Sequence, residues 1–130
     1  MNTTEKTYYF VYGTLKRGYG NNRILQQSPT AQFIEEGVTE AKFNLYHLGG
    51  FPGVTENGET AIHGEIWEVS DDYTKQRLDM LEGYRKDAPT EGLYNKKTIK
   101  VNDKDVNIYI LNRTNYITET NKITTGKWER

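Results

Sequence analysis

Cysteine is absent from the 130 residues. That excludes disulfides, thiolate catalysis and cysteine-based zinc sites together. Serine occurs only as Ser28 and Ser70, and neither lies in a G-x-S-x-G setting, so a serine nucleophile finds no support. The histidines, His47 and His63, are far apart and in no ligand motif; each reads as a strand residue, and no metal site is expected. Net charge is −1, with acids and bases interspersed. Lys16-Arg17 and Lys96-Lys97 are pairs rather than patches, which argues against nucleic acid as a partner. The longest apolar stretch, Tyr8 to Tyr12, is far too short to span a bilayer. Met1 to Thr7 is polar and carries no apolar export signal. The expectation is therefore a cytoplasmic chain that binds neither membrane nor nucleic acid. Its length suits a single domain over residues 1–130. Nothing in the sequence sets its oligomeric state.

Apolar residues make up only 35%, and tyrosine fills part of the gap, with 10 copies against 4 Phe and 2 Trp. A buried tyrosine ring keeps a hydroxyl that needs a partner. So many tyrosines imply half-buried strand positions or a polar pocket walled by rings.

Strand character shows in Thr7 to Tyr12, Ala31 to Glu36, Glu40 to Leu48, Ala61 to Val69, Leu93 to Val101 and Val106 to Leu111. Within Ala61 to Val69, Ile62 and Ile66 share one face while His63, Trp67 and Val69 share the other. Apolar residues on both faces mark a central strand, and Gly64 leaves room for a close neighbour. Gly13 to Asn22 reads as a loop and Arg23 to Gln27 as one helical turn. Gly49-Gly50 and Pro52-Gly53 read as chain breakers. Ser70-Asp71-Asp72 starts the one substantial helix, with Ser70 as its cap. Gly83 ends it, and Leu78 and Leu81 form its inner stripe, with Tyr73 and Arg77 at looser spacing. After Asn112 the chain is polar and irregular apart from Ile117, Ile123 and Trp128. Strands adjacent in sequence and a single long helix predict an α+β domain: a small mixed, mainly antiparallel β-barrel with one main helix. A doubly wound α/β fold needs more crossover helices than this.

Two places carry chemistry. Gly13-Thr14-Leu15-Lys16-Arg17-Gly18 has P-loop glycine spacing, but Tyr19 and Gly20 stand where that motif needs Lys and Ser or Thr. Nucleotide triphosphate hydrolysis thus lacks its two working groups. The loop is either a plain tight turn or a run of amides able to hold an anion such as a carboxylate. The second place is Glu82, in Leu78-Asp79-Met80-Leu81-Glu82-Gly83-Tyr84. Half-buried at a helix C-terminus, it would have a raised pKa and suit general acid/base work. Solvated, or paired with Arg85 or Lys86, it would be an ordinary helix end. A surface role suits Asp79 better than Glu82.

Phe10-Val11-Tyr12-Gly13-Thr14-Leu15-Lys16-Arg17-Gly18, with Asn21 and Leu25 after it, resembles the opening motif of the gamma-glutamylcyclotransferase-like family. The likeness is strongest to its gamma-glutamylamine cyclotransferase, AIG2-like subgroup. Phe51-Pro52-Gly53, His63-Gly64-Glu65-Ile66-Trp67-Glu68-Val69, the segment around Glu82, Leu93-Tyr94, and Ile123 through Gly126 to Trp128 continue it in order. The resemblance implies a small barrel with a cavity at one end. It also implies cyclisation of a γ-glutamyl amine or amide to 5-oxoproline with release of the amine, and no cofactor. Glu82 matches the catalytic glutamate. Tyr12, Gly13, Thr14 and Leu15 match the segment that holds the glutamyl group, and Tyr94 matches a tyrosine near the site. Tyr84 and Tyr109 are candidate wall residues. Arg85, Lys86, Asp87 and Pro89 would lie beside the mouth. Other readings of the same pocket are a non-catalytic module that sequesters a small ligand, and a different acid/base reaction such as a lyase or deblocking step.

Overall fold

The computed structural model describes residues 5–112 and 117–129. In chain order its elements are β1 (Thr7–Val11), α1 (Asn22–Gln26), β2 (Gln32–Val38), β3 (Phe43–His47), β4 (Pro52–Glu56), β5 (His63–Val69), α2 (Asp72–Leu81), β6 (Tyr94–Val101) and β7 (Lys104–Leu111), followed by a short 3-10 turn at Glu119–Asn121. Five strands form one sheet in the order β2-β5-β1-β7-β6, and β3 pairs with β4 as a separate two-stranded sheet. Among the described residues, only the β1–β7 pairing is parallel. The α+β class and mainly antiparallel sheet are those expected; the hydrogen bonding runs in two sheets instead of one closed cylinder.

The large sheet is buried on both faces, and strand alternation sorts its residues into two cores. Phe10, Tyr12, Ile62, Ile66, Val106, Ile108 and Ile110 face Phe43, Leu45 and Val54 of the β3–β4 hairpin, together with Trp128. Tyr9, Val11, Trp67, Val69, Tyr109 and Leu111 face Ile24 and Leu25 of α1 and Leu78 of α2. β5 lies between β2 and β1, as its two apolar faces require. Asn102 and Asp103 both have positive φ, at 53° and 66°. They form the tight turn whose twist matches the β6–β7 hairpin.

Three local expectations need correction. Pro52 and Gly53 begin a strand instead of only breaking the chain, since β4 pairs Pro52 with His47 and Gly53 with Tyr46. Proline is tolerated at the first residue of an edge strand, and the missing Cβ of Gly53 admits the Leu48 and Leu111 side chains. The cap of α2 is Asp71, not Ser70: its carboxylate accepts from the Thr74 amide at 2.9 Å and the Thr74 hydroxyl at 2.7 Å. Burial alone would raise the Asp71 pKa, but hydrogen bonds from Thr30, Thr74 and Ser28 outweigh it and hold the carboxyl at about 2. Finally, α2 buries Thr74 and Leu78, while Tyr73 and Leu81 are 69% and 38% exposed.

Candidate active site

Where β1 leaves the sheet, its C-terminal end meets the end of α2, the start of β4 and the start of β6. Between them lies a cavity of about 300 Å³. Tyr12, Gly13, Thr14, Leu15, Glu82 and Tyr94 all line it, and so does Tyr109. Residues far apart in sequence thus share one wall. Tyr84 is not among the lining residues; the Lys96 ammonium sits over its ring, 4.8 Å from the centroid. Arg85, Lys86, Asp87 and Pro89 do not line the cavity either, and Gly50, Phe51, Leu81 and Leu93 stand there instead.

The turn after β1 is held from several sides. Gly13 lies against Pro52: a Cβ there would come within 2.6 Å of the proline ring. The Lys16 amide donates to the Gly13 carbonyl at 3.0 Å, and the Asn21 amide to the Thr14 carbonyl at 3.1 Å. Asn21 Nδ2 donates to Thr14 Oγ1 at 2.8 Å and Asn22 Nδ2 to the Leu15 carbonyl at 2.7 Å. These bonds use carbonyls and a hydroxyl. The amides of Gly13, Thr14 and Leu15 donate to nothing among the described residues.

A second clamp was not legible beforehand. Glu65 is buried, and its Oε1 accepts from the Arg17 amide and from Trp67 Nε1, each at 3.1 Å. Its Oε2 accepts from Arg17 Nε at 3.1 Å. The Arg17 guanidinium also stacks 3.7 Å over the Phe33 ring. The far end of the glycine loop is thereby tied to β5 and β2. The only signal in the sequence was a glutamate on the same strand face as Trp67 and Val69, a place where a charge needs a partner.

Glu82 is the cap residue of α2. Gly83 follows at φ 68°. The Gly83 amide donates to the Met80 carbonyl at 3.2 Å and the Tyr84 amide to the Asp79 carbonyl at 2.9 Å. This is a Schellman ending, which satisfies the last carbonyls and turns the chain away. The Glu82 side chain, half-buried, is left at the cavity wall. Nothing among the described residues hydrogen bonds its carboxyl. Burial, reinforced by the nearby Asp79 charge, pushes its pKa up from 4.5 to about 7.

Asp79 lies one turn earlier and has no ordinary surface role, contrary to expectation. Its Oδ1 accepts from the Tyr109 hydroxyl at 2.7 Å, and its two oxygens lie 3.0 and 3.1 Å from Lys96 Nζ. Lys96 and Asp79 are both partly buried. The Tyr109 ring stacks on Tyr9 with centroids 6.4 Å apart.

The cavity tyrosines have already spent their protons. The Tyr12 hydroxyl donates to the Tyr109 carbonyl at 2.7 Å, and the Tyr94 hydroxyl to the Pro52 carbonyl. Burial first, then the neighbouring Glu82 charge, raises the Tyr94 pKa; burial, Tyr94 and Glu82 in that order raise that of Tyr12. Both therefore stay protonated and serve as walls and braces. Among the described residues there is no cluster of His, Asp and Glu able to hold a metal ion, and no helix is long and apolar enough to cross a membrane.

The chain is similar to known proteins along most of its length. The family model described as gamma-glutamyl cyclotransferase, AIG2-like, matches residues 9–130. A protein of Vibrio cholerae named "Putative gamma-glutamylcyclotransferase" is 37% identical over 119 residues, covering 92% of each chain. The gamma-L-glutamyl-butirosin B gamma-glutamyl cyclotransferase of Niallia circulans is 29% identical over 112 residues, covering 83% of this chain and 69% of its own. Among solved structures, an AIG2-like protein from Mus musculus superposes with a TM-score of 0.75 at 24% identity, covering 96% of this chain and 89% of its own; at that identity the likeness is one of fold.

Proposed function

The chain belongs to the gamma-glutamyl cyclotransferase, AIG2-like family, and on that premise we propose that it converts a γ-glutamyl amide of a small amine into 5-oxoproline and the free amine. The observation that carries this reading is the unpaired Glu82 carboxyl, with a pKa of about 7, in the same cavity wall as the uncommitted amides of Gly13, Thr14 and Leu15.

The chemistry needs little from the protein beyond placement. The substrate carries its own nucleophile, an α-amino group that reaches its γ-carbonyl by closing a five-membered ring. Holding the glutamyl chain folded supplies much of the acceleration, since well-oriented intramolecular reactions gain on the order of 7–11 kcal/mol. The turn amides suit either the α-carboxylate or the oxyanion that develops on the reacting carbonyl. Ionised Glu82 takes a proton from the α-ammonium. The amine nitrogen then bonds to the carbonyl carbon, giving a tetrahedral oxyanion. Protonated Glu82 returns the proton to the departing nitrogen as the carbon–nitrogen bond breaks, and the ring nitrogen passes its second proton by way of Glu82 to the released amine, which leaves as the ammonium. The carboxylate ends as it began, and substrate atoms equal product atoms. A carboxyl with a pKa near 7 is matched to both transfers.

The test is to incubate the protein with a panel of γ-glutamyl amines and measure 5-oxoproline. Wild type is expected to release it, and Glu82→Gln to lower kcat by about 100-fold or more while retaining substrate binding. Full activity in Glu82→Gln would reject the proton-carrier role. Tight binding of the panel without 5-oxoproline would instead favour a sequestering module.

A further inference from the structure

The amides of Gly13, Thr14 and Leu15 serve a substrate only if their N–H bonds keep a fixed direction. In a trans peptide the C=O and the N–H of the next residue point opposite ways. A carbonyl that is held therefore aims the amide after it. The Lys16 amide holds the Gly13 carbonyl at 3.0 Å, which aims the Thr14 N–H. The Asn21 amide holds the Thr14 carbonyl at 3.1 Å, which aims the Leu15 N–H. Lys16 thus closes the turn, and its own backbone is held by the residue that follows it. The Arg17 amide donates to Glu65 Oε1 and Arg17 Nε to Glu65 Oε2, each at 3.1 Å.

The geometry points to Glu65 as a positioning residue for the reaction: it acts through Arg17 to keep the turn amides facing the glutamyl group. Glu65 stands opposite Val11, the last residue of β1, in the β1–β5 register. The hold is therefore applied where the chain leaves the sheet. Neither Glu65 nor Arg17 lines the cavity, so the role is one of support. Glu65 is buried, and a buried charge costs stability unless its oxygens are filled. Among the described residues three N–H groups fill them: two on Arg17, and Trp67 Nε1 at 3.1 Å. Trp67 steadies the carboxylate from its own strand. The Phe33 ring, 3.7 Å from the guanidinium, steadies Arg17 from β2. The kinetic consequence rests on the cyclisation reading; the direction of the amides does not.

Three variants remove the hold in steps. Arg17→Ala loses the guanidinium and keeps the backbone bond. Glu65→Gln keeps an oxygen for the Arg17 amide and Trp67 Nε1 but turns its own NH2 toward Arg17 Nε. Glu65→Ala loses both bonds. The first measurement is kcat/KM for 5-oxoproline release from a γ-glutamyl amine, taken per folded molecule by circular dichroism. It is expected to fall roughly tenfold in the first two variants and about 100-fold in the third. The second is the set of residual dipolar couplings, which read N–H direction. They are expected to change at Thr14 and Leu15 in all three variants and to keep wild-type values along α2. A role confined to stability would lower the folded fraction and leave both readings at wild-type values in the molecules that stay folded; that result would overturn the inference. Arg17→Ala and Glu65→Gln decide the matter by themselves if Glu65→Ala does not fold. The two readings fail separately. Absence of 5-oxoproline with wild type rejects the cyclisation reading, and the couplings at Thr14 and Leu15 then uphold the hold if they change and reject it if they do not.

Discussion

Glu82 has an ordinary carboxyl value of 4.5 and a folded value of about 7, and this gap has a thermodynamic consequence. Between those two pH values the folded chain holds a proton that the unfolded chain has released. Stability contributed by this group is therefore fully present below pH 4.5 and falls as pH rises to about 7. The gap corresponds to a loss of up to about 3 kcal/mol. Glu82→Gln has no such loss. The variant is expected to match wild type at low pH, to melt progressively higher than wild type as pH rises from 4.5 to about 7, and to keep that margin above it, in thermal scans across the pH range. The same substitution that abolishes turnover would thus stabilise the fold, which separates a lost proton carrier from a damaged structure. Asp79 supplies the secondary push on Glu82. Asp79→Asn removes that charge and frees Lys96 to act as a nearby cation, and both effects lower the Glu82 pKa. The acidic limb of the pH profile for 5-oxoproline release is expected to move to lower pH, with Asp79→Glu restoring it.

At the scale of elements, the site is a junction between the turn after β1 and the start of β4. Gly13 meets Pro52 so closely that a Cβ would stand 2.6 and 2.7 Å from two ring carbons. A proline ring has no flexible end to yield, so the backbone must move. Gly13→Ala is expected to cost about 1–3 kcal/mol in urea denaturation and to reduce turnover by displacing the amides. Gly20→Ala is the control, because nothing lies within 4 Å of its added carbon; both measurements should stay at the wild-type level. The Gly13–Pro52 contact joins two breaker segments that read in the sequence as unrelated interruptions. Each lies next to a strand end, and a strand end is where a tight approach between chains must dispense with a side chain.

Across the whole molecule, the two-sided sheet needs cover on both faces, and the C-terminal segment supplies part of it. Trp128 is fully buried in the core that contains the β3–β4 hairpin. The Ile123 amide donates to the Leu45 carbonyl at 2.7 Å and the His63 amide to the Gly126 carbonyl at 2.8 Å, so the segment is stitched to β3 and β5. Lys16 Nζ donates to the Trp128 carbonyl at 2.8 Å, which connects the segment to the glycine loop. Trp128→Ala is expected to cost about 3–5 kcal/mol in denaturant unfolding, far more than its place near the end of the chain suggests. Lowered activity should follow from the loosened loop.

Periodicity and glycine spacing alone were enough to determine six of the seven strands, the central place of β5 and the end of α2 at Gly83. These are local matters: side-chain alternation, positive φ and dipeptide turn chemistry act over a few residues. The order of the matching segments brought Tyr12 to Leu15, Glu82 and Tyr94 together as candidates before any coordinates. What only the tertiary structure decided was their partners. Whether Glu82 was solvated or walled in depended on β6 and β4 packing beside the end of α2. Whether Asp79 was a surface residue depended on Tyr109 and Lys96, which come from β7 and β6 and lie 30 and 17 residues away. Burial and Coulomb interactions depend on distance through space, and only the folded chain sets that distance.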